Sequence, residues 1–219
     1  MDLGNSELQT TPNNASRVER SNTFDHAEIG VLDNEKLTWQ NSVGVLKRTG
    51  LLMSNLASVY YLEYLITTGL TVAIGGQLNE LNADKKGTFI YDNTFVIFNF
   101  CYQTGVFISR SSLGCVKIKH VWLLTLFQFL NCAFWLSNAL HMYCFNIYVY
   151  FVHIVFVGLM GGASYVNVIY RLKNSPKLAK TEKELAMNLL SCFDDLGVLL
   201  AAITALILTT TVFAQYSKD

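Results

Sequence analysis

The chain has 219 residues, of which 52% are hydrophobic and only 15% charged, and its formal net charge is zero. Soluble domains carry roughly 25% charged residues, so the deficit argues against a soluble globule and for a membrane. The neutral balance gives no field that would select nucleic acid as a partner.

In chain order, residues 1–48 come first. They are rich in Asn, Ser, Thr and charge and show no apolar periodicity, so they read as a disordered tail. A spanning helix needs roughly 17–25 apolar residues. Five stretches within a membrane domain at 49–219 meet or approach that length: about 51–75, 93–109, 121–140, 146–170 and 185–213. The expected fold class is therefore all-α membrane, a five-span helical bundle behind a disordered N-terminal tail. The apolar run begins near Leu51, so no signal peptide precedes it and the first span is expected to act as the insertion signal. The last stretch exceeds the ~30 Å hydrocarbon core, so its beginning, with Asp194 and Asp195, is expected to protrude, or the helix to tilt or bend near Gly197.

Orientation is read from Lys and Arg in the short loops. Lys47 and Arg48 precede the first span, Arg110, Lys117 and Lys119 follow the second, and Arg171, Lys173, Lys177, Lys180 and Lys183 follow the fourth. Lys85 and Lys86 after the first span are a mild contrary signal. The balance places the N-terminus and both strongly basic loops in the cytosol, and five spans put the C-terminus on the other side.

Several spans carry polar groups that lipid would penalise. In the first, Tyr60, Glu63, Tyr64, Thr67 and Thr71 share a helix face. Glu63 there is either a cavity lining that binds substrate or a proton, or a structural carboxyl bonded to a neighbouring helix. In the second, Asn99, Gln103 and Arg110 fall on one stripe. Arg110 is either an anchor reaching the headgroups or an inward arginine that pairs with a carboxylate or a phosphate. Asp194 enters at the same depth, which makes an Arg110–Asp194 contact topologically allowed; a solvated helix start is the other account of the Asp pair. In the third, Gln128, Asn131, Trp135 and Asn138 form a stripe suited to interhelical hydrogen bonds, with a share in the same cavity as the alternative. In the fourth, Gly158 and Gly162, with Gly161 beside them, form a GxxxG packing pattern. His153 on the same helix either senses an acidic lumen or is a hydrogen-bonded core histidine.

The five cysteines, Cys101, Cys115, Cys132, Cys144 and Cys192, include no CxxC pair, so buried free thiols are expected rather than a zinc site or a disulfide framework. Phosphate-loop, zinc-protease, nucleophile-elbow and kinase motifs are absent. No catalytic set, cofactor or metal is therefore expected. Asn14-Ala15-Ser16 is a glycosylation sequon, but in a cytosolic tail it is expected to stay unmodified.

The stretches Val59-Tyr60-Tyr61-Leu62-Glu63-Tyr64, Tyr102-Gln103-Thr104-Gly105 running on to Ser109-Arg110-Ser111-Ser112, Gly161-Gly162-Ala163-Ser164-Tyr165-Val166-Asn167, and Glu184-Leu185-Ala186-Met187 followed by Asp194 and Leu196-Gly197 have a combined order and spacing. Over about residues 50–200 this pattern resembles the battenin (ceroid-lipofuscinosis neuronal protein 3) family of lysosomal membrane proteins. The resemblance implies one half of a major-facilitator-like transporter, two helical halves around a central cavity, in a lysosomal, vacuolar or late endosomal membrane. It also implies a role in solute efflux (glycerophosphodiesters or basic amino acids) and in luminal pH homeostasis. On this likeness Glu63, Gln103, Arg110 and Asp194 match motif positions expected to line the transport path, while Asp195 stands where the family more often has a neutral residue.

The likeness covers only the carboxy-terminal half of such proteins. The family's C-terminal lipidation signal has no counterpart here, and Glu28 to Leu32 is a poor approximation to an acidic dileucine. The chain is thus expected to be a fragment, a short isoform, or a half that pairs with an amino-terminal half or another copy. The expected partners are the lipid bilayer and a small polar solute such as a phosphodiester, not nucleic acid. Arg110 would take the anionic group and Glu63 a proton or a cationic group, with Tyr64 and Gln103 orienting the solute and Tyr60 and Asn131 on the path. The other function class is a membrane interaction protein that transports nothing and acts through its tail and basic loops on trafficking partners.

Overall fold

A computed structural model describes residues 39–85, 87–112 and 117–214. Residues 1–38 of the expected tail at 1–48, with its sequon and the segment from Glu28 to Leu32, lie outside the described residues, as do Lys86 and Cys115. The chain divides into two units, Met1–Gly44 and Val45–Asp219. Of the first, only the helical residues 39–44 are described; the rest concerns the second.

The first helix starts earlier than expected. Helix α1 spans Trp39–Tyr64, so the boundary placed at residue 48 falls inside it. Lys47 and Arg48 end the hydropathy signal but are good helix formers, and no proline interrupts residues 39–81. The helix continues through a π-helical segment, Leu65–Leu70, into α2, Thr71–Leu81. Around that segment the Thr67, Thr68 and Thr71 hydroxyls donate to the Glu63, Tyr64 and Thr67 carbonyls at 3.1, 2.6 and 2.8 Å. Such back-bonding competes with the α-helical ladder.

A short α3, Phe89–Asp92, leads into α4, Thr94–Ser111. Then follow α5, Val121–His141, α6, Ile147–Lys173, and α7, Lys180–Thr211. The α5–α6 turn is set by Met142, whose φ of 45° makes a left-handed cap, and by Asn146, whose side chain accepts from the Tyr148 amide at 3.0 Å. Helix α7 opens with the Glu182 carboxylate accepting from the Ala179 amide at 2.8 Å. Its 32 residues run through Gly197 without a break in the helix. At 1.5 Å per residue it is about 48 Å long.

Four helices are long and apolar enough to cross a membrane: Asn41–Leu81, Val121–His141, Ile147–Lys173 and Lys180–Thr211. Helix α4, the expected second span, is fully helical but is not among them, because Asn99, Gln103 and Arg110 dilute its 18 residues. The other four expected spans coincide with the helices that meet that length and composition. The chain is an all-α, multi-pass membrane protein, and large side chains such as Phe100, Phe107 and Val152 lie on its outside.

Two apolar clusters hold the bundle. One joins the π segment and α2 to α4, α5 and the first half of α6 around Ile66, Ile74, Phe98, Trp135 and Tyr150. The other joins α1 to the start of α5, the end of α6 and the start of α7 around Met53, Leu56, Leu172 and Leu190. Tyr60 packs on the second cluster and Tyr64 on the first. Glu63 therefore sits in the chain at the join between two oily compartments.

Candidate functional site

The site is built where α1, α4, α6 and α7 meet. Helix α1 presents Glu63 with only 3% of its surface exposed. Room for its carboxylate comes from α6: a Cβ on Gly161 would collide with both Glu63 carboxylate oxygens. Tyr102 of α4, itself buried, neighbours the same carboxylate. One helical turn earlier on α1, Tyr60 accepts a hydrogen bond from Arg110 Nη2 at 3.3 Å. The guanidinium also lies over the Tyr165 ring, 4.5 Å from its centre, a favourable cation–π arrangement. Tyr60 stacks on Tyr64 at 6.0 Å between ring centres and leans on Tyr165 at 6.3 Å.

Helix α7 brings a second carboxylate. Asp194 is 7% exposed, and its Oδ1 has no hydrogen-bond partner. Glu63, Asp194 and Arg110 all sit close enough to the Tyr60 hydroxyl to act on it electrostatically, and Asp195 acts in the same way on Tyr64. The anticipated Arg110–Asp194 ion pair is not formed; among the described residues the one salt bridge is Arg48–Glu182. Arg110 instead directs its charge to the Tyr60 hydroxyl and the Tyr165 ring.

Two small-residue seams allow this closeness. Gly105 of α4 lies against the Val155 carbonyl of α6, while Gly158 lies against the Tyr102 carbonyl and Gly162 against Ser109 Oγ. Gly197 of α7 likewise lies against the Ala57 carbonyl of α1. Backbones packed this tightly are the membrane solution to helix association.

Other expected positions fall elsewhere. The buried face of α4 is Phe98, Tyr102, Gly105, Val106 and Ser109. The stripe of Asn99, Gln103 and Arg110 is rotated off it, so Gln103 is exposed and Asn99 lines a narrow crevice with Thr67 and Tyr102. Asn131 is buried on α5 and donates to Gln128 Oε1 at 3.1 Å. His153 accepts from Trp135 Nε1 at its Nδ1, 2.8 Å away, and packs 4.4 Å from the Phe134 ring centre. Tyr102 and Tyr165 were not singled out from sequence. The signal that would have found them is the small pair Gly105 and Ser109, four apart, which marks the inward face of α4 as Gly158 and Gly162 mark that of α6.

Chemically, the cluster holds one cation, two buried carboxyls and a sleeve of phenols. Such a set can bind an anionic group at Arg110 and hold or pass a proton at Glu63 or Asp194. Among the described residues no group of three or more His, Cys, Asp or Glu side chains is placed to hold a metal ion.

Comparison with known proteins gives a consistent result. A family model described as "CLN3 protein" matches residues 3–215. Battenin of Dictyostelium discoideum is 37% identical over 180 residues, covering 82% of this chain and 39% of that protein. Battenin of Canis lupus familiaris is 35% identical over 151 residues, covering 69% of this chain and 32% of that protein. Protein BTN1 of Candida albicans is 35% identical over 151 residues, covering 68% and 34%. The chain thus spans about a third to two fifths of the length of these curated relatives. No solved structure matches. With its matched span running almost from end to end, this chain belongs to the CLN3 protein family, the battenins.

Proposed function

We propose that the chain forms the carboxy-terminal bundle of a non-enzymatic solute transporter in a lysosomal or vacuolar membrane, one half of a major-facilitator-like pair. The observation that carries the reading is the buried Glu63 carboxylate, seated against Gly161 beside Tyr102, with Arg110 held one turn away by Tyr60 and Tyr165. A structural carboxyl in lipid is normally matched to a cation. Here the arginine is kept near but unpaired with either carboxylate, which leaves it able to receive an anion such as a phosphodiester. Glu63 then carries a proton or faces a cationic group, and Tyr64 orients the solute. Removal of such solutes, with the proton at Glu63, links the site to luminal pH. A rocking transporter has its site between two repeats, so an amino-terminal half or a second copy completes it.

The test is efflux of glycerophosphodiesters and of basic amino acids from lysosome-derived vesicles of cells that express the chain. Arg110→Ala is expected to reduce phosphodiester efflux by at least about tenfold, the equivalent of ~1.4 kcal/mol. Glu63→Gln is expected to flatten its dependence on luminal pH. Unchanged efflux of both solute classes with the two substitutions combined overturns the assignment and favours a trafficking role.

A further inference from the structure

A second site lies at the basic end of the bundle. A cleft of 630 Å³ opens between the start of α1, the start of α5 and the end of α6, lined among others by Arg48, Asn55, Trp122, Tyr170, Arg171 and Lys177. This volume is within the ~300–1,000 Å³ of small-molecule sites. Its walls are braced by contacts distant in sequence. Arg48 donates to the Lys177 carbonyl at 2.8 Å and pairs with Glu182, fixing the α6–α7 turn. Arg171 Nη1 donates to the Lys119 carbonyl at 3.0 Å, which ties the chain before α5 to the end of α6. Deeper in, Asn55 Oδ1 accepts from the Thr125 hydroxyl at 2.8 Å, leaving the Asn55 amide as the donor available to the cleft.

We propose that this cleft binds the multiply phosphorylated headgroup of an anionic membrane lipid. Three features select that ligand. The first is charge: Arg171 has committed one of its five guanidinium donors, and Lys177, at the cleft rim, is exposed. The second is depth. Trp122 is 56% exposed and Tyr170 sits beside it in the lining, with Lys117 4.9 Å from the Tyr170 ring centre. Trp and Tyr mark the headgroup level of a bilayer, so the cleft opens where a phosphate on a lipid resides. The third is polarity: basic pockets between spanning helices on the cytoplasmic side are suited to multiply phosphorylated headgroups, whose oxygens match a guanidinium fork. The site shares no residue with the Glu63 cluster and does not depend on the transport reading.

The experiment uses the full chain in nanodiscs of phosphatidylcholine alone, with added phosphatidylserine, or with added phosphatidylinositol bisphosphate, and counts retained lipids by native mass spectrometry. Retention of the bisphosphate lipid is expected, and Arg171→Gln with Lys177→Gln is expected to lower it about tenfold or more, since each change removes a charge-assisted donor to the phosphate. Lys173→Gln with Lys180→Gln removes the same charge outside the lining and is expected to change it less than about twofold. Ser175→Glu, which places a carboxylate in the lining, is expected to abolish retention and serves if the double variant does not fold. Equal losses from the two glutamine pairs, equal retention of phosphatidylserine, or equally tight binding of soluble inositol bisphosphate overturns the proposal.

Discussion

The polar residues of α5 and α6 and those around Glu63 are drawn from the same amino acids, yet they are used in opposite ways. At the α5–α6 turn almost every group is spent. Asn138 Oδ1 accepts from the Cys144 amide and from the Tyr150 hydroxyl, both at 3.1 Å, and its amide donates to the Phe134 carbonyl at 2.9 Å. Trp135 and His153 close on each other beside it. Around Glu63 the groups are near one another without being used up: Arg110 makes a single 3.3 Å hydrogen bond, and Asp194 Oδ1 makes none. The first arrangement is a fastening. The second keeps bonding capacity in reserve, which is what a site that must accept and release something requires.

That contrast can be broken by substitution, in order of expected effect on stability. Asn138→Ala removes the acceptor of the Cys144 amide and leaves the Tyr150 hydroxyl to the Cys144 carbonyl alone, and is expected to cost about 2 kcal/mol. For a chain of this size that lowers Tm in detergent by roughly 4–8 °C. Tyr102→Phe removes a single hydroxyl beside Glu63 and is expected to cost only ~0.6 kcal/mol, the usual value for an interhelical bond in a membrane, while altering the pH dependence of efflux. Asp194→Asn exchanges a carboxyl that gains little from its surroundings for an isosteric amide. It is expected to move Tm by less than ~2 °C while reducing efflux. If Asp194→Asn destabilised the bundle as much as Asn138→Ala, the Glu63 region would be a fastening too, and the distinction would fail.

Much of the architecture was legible because a bilayer imposes one coarse rule on sequence, a long apolar run. The rule reads runs, not helices, which explains where its boundaries slip. It began the first span at Leu51, where the oil begins, although the helix begins at Trp39. At α4 the run is diluted by Asn99, Gln103 and Arg110, yet the segment is helical throughout. At the site, Glu63, Arg110 and Asp194 were legible because charge in an apolar segment is conspicuous. Tyr102 and Tyr165 were not, since a tyrosine among phenylalanines carries no sign of its duty. The facing of α4 was misjudged because polar residues were taken to point inward. Gly105 and Ser109 decide the matter instead, by letting the α6 backbone approach.

The π-helical turn at Leu65–Leu70 makes the length of this helix matter as much as its composition. A residue gained or lost in that turn rotates everything beyond it by ~100°. The face of α2 that carries Ile74 and Leu78 would leave its oily neighbours while Tyr60 and Glu63 stayed in place. A one-residue deletion there would uncouple the two ends of the long helix and leave the chemistry upstream without a base to act against.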